Sequence, residues 1–355
     1  MTNWLSQILI GEVTEQTWQL AEDAELVDTQ RAKAFGIARE NVREVIETRS
    51  DILPSIIPDF EKFCQTQQHV KPKAVLKVLW HLWLPLAIQL ASFRQQKGRP
   101  FIQGILGGQG TGKTTMCGVL SLIIKQLGYR CLSLSLDDLY KSYSDRLQLR
   151  QQDPRLIWRG PPGTHDVELG LTVLEQICNS TSPVAVPRFD KSLHAGAGDR
   201  TSPEIVEDVD IVLFEGWFVG VKPIDPALFN SAPPPIVTEE DRAFARDMNS
   251  HLKSYLPLWE KLDSLIVLYP EDYHLSLEWR KQAERQMIAA GKSGMTEQEV
   301  EQFVYYFWRS LHPKLFIEPL VKYPSSVDFV IEMNRDRTIF FLSKGGTRNP
   351  TSSPL

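Results

Sequence analysis

Residues 101–115, F-I-Q-G-I-L-G-G-Q-G-T-G-K-T-T, limit the folds open to this chain more than any other stretch. Residues 101–106 form an apolar run of the length of one buried strand. Gly107-x-x-x-x-Gly112-Lys113-Thr114 comes next and fits G-x-x-x-x-G-K-[ST], a loop whose backbone N–H groups wrap phosphate. Residues 115–127 then carry apolar side chains at helical spacing (Met116, Val119, Leu120, Ile123, Ile124, Leu127) and stop at Gly128. The four fixed positions alone coincide in roughly one random chain of this length in a hundred. The strand before them and the helix after them distinguish a phosphate cradle from a glycine-rich turn with an exposed lysine.

Each position of the loop has a chemical reason. Gly107, Gly108, Gly110 and Gly112 put no Cβ between the backbone N–H groups and a phosphate oxygen, and Gln109 and Thr111 complete the circuit. The start of the next helix adds partial positive charge. Lys113 can reach β- and γ-phosphates, and the Thr114 hydroxyl, with Thr115 behind it, can ligate Mg²⁺.

A chain of 355 residues holds one large or two medium domains. Its net charge of −5 argues against a broad electrostatic grip on nucleic acid or an anionic membrane. No apolar run is expected to approach the length of a membrane span. The opening M-T-N-W-L has neither signal-peptide nor transit-peptide character, and Cys64, Cys117, Cys131 and Cys178 are scattered with no C-x-x-C pair. A cytoplasmic chain with reduced thiols is expected.

Residues 1–98 are expected to form a helical region packed on the remainder of the chain. The prolines within 52–58 should interrupt its first long helix, and Pro85 should kink or divide a second helical stretch over 70–96. Trp80 and Trp83 read as a core face. From Gly98 onward strands alternate with helices. Strands are expected at 130–136, 183–187, 209–214, 265–269, 327–333 and 338–342, and helices at 167–179, 243–255, 275–290 and 297–311. This alternation, with a phosphate loop after its first strand, predicts an α/β fold. It is a P-loop NTPase-type parallel sheet with helices on both faces, spanning 99–342, plus the N-terminal helical extension. The polar tail 343–355 is expected to be disordered.

In such a sheet, ligands collect at the carboxyl ends of the strands. The second strand ends in Asp137-Asp138-Leu139-Tyr140, and a later one in Glu215-Gly216-Trp217. Asp137 is placed to take a proton from an attacking hydroxyl or to hold a water on Mg²⁺, while Asp138 reads more simply as a cap. Glu215 is placed to steady the metal, so Thr114, Asp137 and Glu215 are the candidate metal ligands. Two loops concentrate charge, glycine and proline: R-G-P-P-G-T-H-D over 159–166, and P-R-F-D-K-S…G-A-G-D-R over 187–200. Taken singly, Asp166 is a helix cap, His165 a structural histidine, and Lys191 and Arg200 solvated surface. Together, after a nucleotide motif, they are recognition candidates.

In their order, G-G-Q-G-T-G-K-T-T, S-L-D-D-L-Y, R-G-P-P-G-T-H-D, P-R-F-D-K-S…G-A-G-D-R, D-I-V-L-F-E-G-W and W-R-K-Q-A-E resemble the D-glycerate 3-kinases. That family lies among the phosphate-loop kinases that include uridine kinase, phosphoribulokinase and bacterial pantothenate kinase. The resemblance spans about residues 70–342. It implies ATP-dependent phosphorylation of the 3-hydroxyl of D-glycerate, with Asp137 as general base and Tyr140 beside it, and a place in photorespiratory carbon recovery. It also implies that Asp166 holds a substrate hydroxyl and that Lys191 and Arg200 contact substrate and phosphate. A lid near 273–292, around Trp279, would bring Arg280 and Arg285 to the transferring group. A small anion such as glycerate needs a bidentate cation for its carboxylate, for which Arg200 is the first candidate and Arg159 the second, with His165 in the same substrate-binding set. The competing readings are a uridine or pantothenate kinase and, from another class, a nucleotide-switch ATPase acting on a protein partner. Against a guanine switch, Met333-Asn334-Arg335-Asp336 does not fit the base-reading N-K-x-D pattern.

Overall fold

Strand β1 (Phe101–Gly107) is buried at every position and lies inside a six-stranded sheet. Further along the chain come β2 (Cys131–Ser135), β3 (Val184–Val186), β4 (Phe189–Asp190), β5 (Asp199–Arg200), β6 (Glu204–Val206), β7 (Ile211–Gly216), β8 (Ser264–Pro270), β9 (Phe329–Met333) and β10 (Ile339–Lys344). The sheet order is β10-β9-β8-β1-β7-β2, parallel throughout except for the β9–β10 hairpin. The expected strand at 183–187 is present as β3, but it pairs with β6 in a separate antiparallel ribbon, and β4 pairs with β5 in another. The computed structural model describes residues 3–66, 72–289, 291, 294–323 and 327–344. Residues 70 and 71 of the second helical stretch and the tail from 345 lie outside them.

Alternate residues of the central strands feed two cores. Phe101, Ile105, Ile211 and Leu213 face one, and Ile102, Leu106, Val212 and Phe214 the other. Parallel strands buried on both faces read as continuous apolar runs, which makes them legible in the sequence. The first core is shared with the N-terminal helices: α1 (Asn3–Ile10), α2 (Glu15–Val27), α3 (Thr29–Ala34), α4 (Val42–Thr66), α5 (Pro72–Val78), α6 (Leu84–Lys97) and then α7 (Lys113–Gln126). Leu5, Ile46, Leu53, Ile56, Phe60 and Trp80 are buried there, each contributing about 1.5–3 kcal/mol. Gly118 of α7 lets the Phe63 ring of α4 close onto it; a Cβ there would stand 2.6 Å from the ring.

One expectation about prolines is corrected. Helix α4 runs unbroken through Pro54 and Pro58. A proline inside a helix costs about 3 kcal/mol, but the buried stripe Val42, Ile46, Leu53, Ile56, Phe60 and Cys64 offsets it. Next to Pro85 the stretch is divided into α5 and α6, by a change of helix type rather than by a break. Residues Leu79–Trp83 form one π-helical turn, with the Leu84 N–H donating to the Leu79 carbonyl, so the extra residue absorbs the missing proline N–H. Residues 75–97 together are long and apolar enough to cross a membrane by length and composition, contrary to the run-length reading. Their residues Leu79, Trp80, Leu84, Leu86 and Leu90 are core instead.

The π turn also delivers Trp80 and His81 to a buried carboxylate. The Trp80 indole N–H donates to Glu25 at 2.7 Å, His81 Nδ1 lies 3.0 Å from the same oxygen, and Arg49 Nη1 lies 3.1 Å from the other. Burial alone would raise the Glu25 pKa, but His81, Arg49 and Arg31 overcome it and bring it to about 2.

The second face is covered by α9 (Val167–Cys178) and α11 (Leu256–Trp259), after α8 (Tyr143–Gln152) and α10 (Glu239–His251). Helices α12 (Leu275–Ala289) and α13 (Glu297–Ser310) pack side by side beyond the carboxyl end of β8. Helix α8 was not expected: none of its residues is buried, so no apolar period marks it.

Candidate active site

The phosphate loop leaves β1 at Gly107 and enters α7 at Lys113. Gly110 and Gly112 adopt φ of +79° and +84°, a region that L side chains rarely enter. The first-turn N–H groups of α7 have no acceptor within the helix and no side-chain cap, which leaves them available to a phosphate oxygen. The Thr111 hydroxyl donates to the Gly108 carbonyl at 2.9 Å, and Lys113 Nζ donates to the same oxygen at 3.1 Å. Gln109 keeps a buried Oε1 with no hydrogen-bond donor among the described residues.

Strand β7 stands between β1 and β2, so Asp137 is two strands from the phosphate loop. Glu215 fills the intermediate place, opposite Ile105 on β1 and Ser135 on β2. It is nearly buried, and its carboxylate takes no hydrogen bond from a described residue. Thr114 presents an exposed hydroxyl at the start of α7. These hard oxygen donors suit Mg²⁺, which keeps waters and phosphate oxygens and needs only one or two carboxylates. Among the described residues there is no cluster of three His, Cys, Asp or Glu that would instead mark an all-protein metal cage.

Beyond β2, a short 3₁₀ turn (Leu136–Leu139) separates the two acids by role. Asp138 accepts from the Ser135 N–H at 3.0 Å and from Arg188 at 2.9 Å, and so closes the turn. Asp137 points away to Lys191, whose Nζ lies 2.5 Å from Oδ2, and accepts the Tyr140 hydroxyl. Burial pushes the Asp137 carboxyl up, but Lys191 and Tyr140 outweigh it and hold it below the ordinary range.

Tyr140 is the hub of the site. Its ring stacks on His165 with centroids 4.6 Å apart and meets Phe189 edge-on at 5.1 Å. The Arg159 guanidinium lies 5.8 Å from the Tyr140 ring and 5.5 Å from Phe189, with Nη1 donating to the Gly196 and Ala197 carbonyls. Arg200 donates from Nε to the Tyr140 carbonyl at 2.8 Å and from Nη2 to Asp166 at 2.9 Å. Asp166 also caps α9 through the Leu169 N–H. The structure therefore gathers Asp137, Tyr140, Arg159, His165, Asp166, Lys191 and Arg200 into one cluster, although they come from three separate loops.

His165 is 2% exposed and hydrogen-bonds the Tyr255 hydroxyl through Nδ1 at 2.8 Å. That hydroxyl already accepts the Gly163 N–H at 2.9 Å, so its own proton goes to Nδ1 and the imidazole proton to Nε2. The opposite tautomer would strand the tyrosine proton as well. Burial lowers the His165 pKa to about 3, and burial likewise lowers that of His312 to about 4. Both are neutral when folded yet protonate below pH ~6.5 when unfolded, so the unfolded chain binds more protons and stability falls as pH falls. Well below pH 6.5 each contributes about 1.4 kcal/mol per pH unit, and the two together about 4 kcal/mol between pH 7.5 and 5. Urea unfolding at pH 7.5 and pH 5 should show that loss; equal midpoints would contradict the burial of two neutral imidazoles.

The arginines assigned to the lid are held elsewhere. Arg280 pairs with Glu284 on its own helix and lies over Phe303 of α13 at 5.3 Å, and Arg285 lies 3.5 Å from Glu297. Neither donates to the phosphate loop. The α12 residue that meets the loop is Trp279: a Cβ on Gly110 would stand 2.7 Å from that of Trp279. A second residue was missed entirely. Arg337, in the turn of the β9–β10 hairpin, donates from Nε to the Gly110 carbonyl at 2.9 Å. Its turn is short and polar, with nothing in its local sequence to link it to residue 110.

No protein-family model matches the sequence. The chloroplastic D-glycerate 3-kinase of Arabidopsis thaliana is 29% identical over 263 residues, 68% of this chain and 56% of that protein, so the chain spans just over half of its length. A probable ATP-dependent kinase of Saccharomyces cerevisiae is 33% identical over 237 residues, 61% of this chain and 77% of that protein. Among solved structures, D-glycerate 3-kinase from Cryptococcus neoformans superposes with a TM-score of 0.67 at 26% identity, covering 74% of this chain and 97% of its own. With the strand order, the phosphate loop and these relatives together, the chain belongs to the phosphate-loop kinase family that includes D-glycerate 3-kinase.

Proposed function

We propose that this kinase transfers the γ-phosphoryl group of ATP to the 3-hydroxyl of D-glycerate. The observation that carries the reading is an ionised Asp137 at a sheet end shared with the phosphate loop, paired with Lys191 and joined through Tyr140 to the cations of Arg159 and Arg200. A small acceptor with one carboxylate and one reactive hydroxyl matches that distribution of charge.

Arg159 is the better partner for the carboxylate, which reverses the order expected from sequence. Arg200 spends Nη2 on Asp166 and Nε on the Tyr140 carbonyl. Arg159 commits only Nη1, to two backbone carbonyls, and keeps Nε and Nη2 as a fork with no described acceptor. With the carboxylate on that fork, the 3-hydroxyl is directed at Asp137. Its oxygen forms the new bond to phosphorus as the bond from Pγ to the bridging oxygen breaks; the hydroxyl proton passes to Asp137, and ADP leaves. In a loose, largely dissociative transition state the attacking oxygen is only weakly bonded to phosphorus, so a weak base that is fully ionised serves. Lys113 offsets charge on the β- and γ-phosphates. Thr114 and Glu215, with Asp137 nearby, would hold a Mg²⁺ ion, which would supply Lewis-acid neutralisation of the same charge.

ADP release measured with D-glycerate, L-glycerate, uridine, pantothenate and no acceptor tests the reading. D-glycerate should give the highest turnover; uridine or pantothenate ahead of it would overturn the proposal. Arg159→Lys, which removes the fork but keeps the charge, should raise the KM for glycerate about tenfold and leave that for ATP unchanged. An equal rise in both would remove Arg159 from the carboxylate.

A further inference from the structure

Two carbonyl oxygens of the phosphate loop hold cations. The Gly108 carbonyl accepts from Lys113 Nζ at 3.1 Å, and the Gly110 carbonyl accepts from Arg337 Nε at 2.9 Å. Lys113 is part of the loop's own motif. Arg337 arrives from the far end of the chain, 227 residues away in sequence.

The turn that carries it is fixed on several sides. The Arg337 guanidinium lies over the Trp279 ring at 4.9 Å, and the Trp279 indole N–H donates to the Arg335 carbonyl at 2.8 Å. The Arg335 N–H points to Glu271 at the end of β8 at 3.3 Å, and Arg337 Nη1 reaches Gln282 at 3.4 Å. Arg337 itself sits at φ +65°, a backbone conformation that arginine adopts only where its surroundings hold it. The result is a guanidinium stationed at the rim of the phosphate cradle.

Its neighbours are differently engaged. Arg280 is paired with Glu284, Lys281 with Glu301, Arg285 with Glu297 and Arg335 with Glu278. Arg337 has no carboxylate partner among the described residues, and Lys113 has none either. A neutral carbonyl is a weaker partner for either cation than an ionised phosphate, and a guanidinium can grip two phosphate oxygens at once.

We propose that Arg337 is a phosphate-binding residue of the ATP site, its guanidinium passing from the Gly110 carbonyl to the triphosphate as the Lys113 ammonium passes from that of Gly108. This role belongs to the hairpin turn and not to Arg280 or Arg285 of the lid helix. It rests on the use of ATP and not on the acceptor, so failure of the glycerate reading would leave it standing.

The test is the affinity of the full chain for ATP, by calorimetric titration, in Arg337→Met and Arg337→Lys. Methionine keeps the stem over Trp279 and removes the charge; lysine keeps the charge. Arg337→Met should weaken ATP binding about tenfold or more, with an unchanged melting temperature and an unchanged KM for the acceptor, and Arg337→Lys should recover most of the loss. A Met variant within about twofold of wild type would overturn the proposal. So would equal losses in both variants, which would assign Arg337 to packing alone. Should the Met variant not fold, phenylglyoxal labelling of the unmodified protein decides. Saturating ATP should protect Arg337 while leaving Arg335 reactive, and labelling of Arg337 indifferent to ATP would refute the role.

Discussion

Lys113→Ala should lower kcat by about a thousandfold or more while the protein keeps its fold. The lysine ammonium acts on charge that builds on the β- and γ-phosphate oxygens as the bridging bond breaks. Preorganised groups aimed at developing charge are worth about 10²–10³ each even when they are neutral donors. Its present contact, the Gly108 carbonyl at 3.1 Å, is a single hydrogen bond at the loop's rim, so removing it costs the fold little. Steady-state turnover with a thermal melt alongside would check this. A variant within about tenfold of wild type would show that the loop does not hold the reacting phosphates as placed here.

The second large effect is expected at Asp137. Asp137→Asn keeps the shape of the side chain and its contact with the Tyr140 hydroxyl, but removes the proton acceptor and the ion pair with Lys191. Turnover should fall by about 10²–10⁴, the range for loss of a positioned general base, while ATP binding stays near wild type. The base and metal-water roles read from the sequence then separate cleanly. If the asparagine variant loses ATP affinity in Mg²⁺ but not in its absence, Asp137 acts through the metal. If affinity is kept and only transfer is lost, it acts on the acceptor hydroxyl.

What was readable in the sequence had local causes. The phosphate loop is contiguous, and its glycines, lysine and threonine need no distant partner to be recognised. The central strands announce themselves because burial on both faces makes them apolar throughout, as in Ile211–Gly216. Glu215 could be singled out because it comes at the end of such a run, and Asp137 because it follows the alternating strand β2. What stayed hidden depended on contacts across the fold. The prolines of α4 look like breaks until its stripe is seen packed into the core. That β7 separates β1 from β2 is a matter of sheet order, which no local pattern encodes. His165 could have been a surface, structural or catalytic histidine; Tyr255, ninety positions away, fixes its tautomer, and burial keeps it neutral. The proposed preference for Arg159 over Arg200 turns on Asp166 taking up part of the Arg200 fork, a contact between two loops that no local pattern carries. Arg337 had no local mark at all, because its partners are a glycine carbonyl and a tryptophan ring from distant segments.

The most direct measurement is the identity of the phosphorylated product. Purified protein, Mg-ATP and D-glycerate can be monitored by phosphorus NMR until ATP is consumed. One equivalent of 3-phosphoglycerate per ADP, with phosphorus coupled to the C3 protons, is the expected outcome. ADP accompanied only by inorganic phosphate, at a rate indifferent to glycerate, would contradict the assignment.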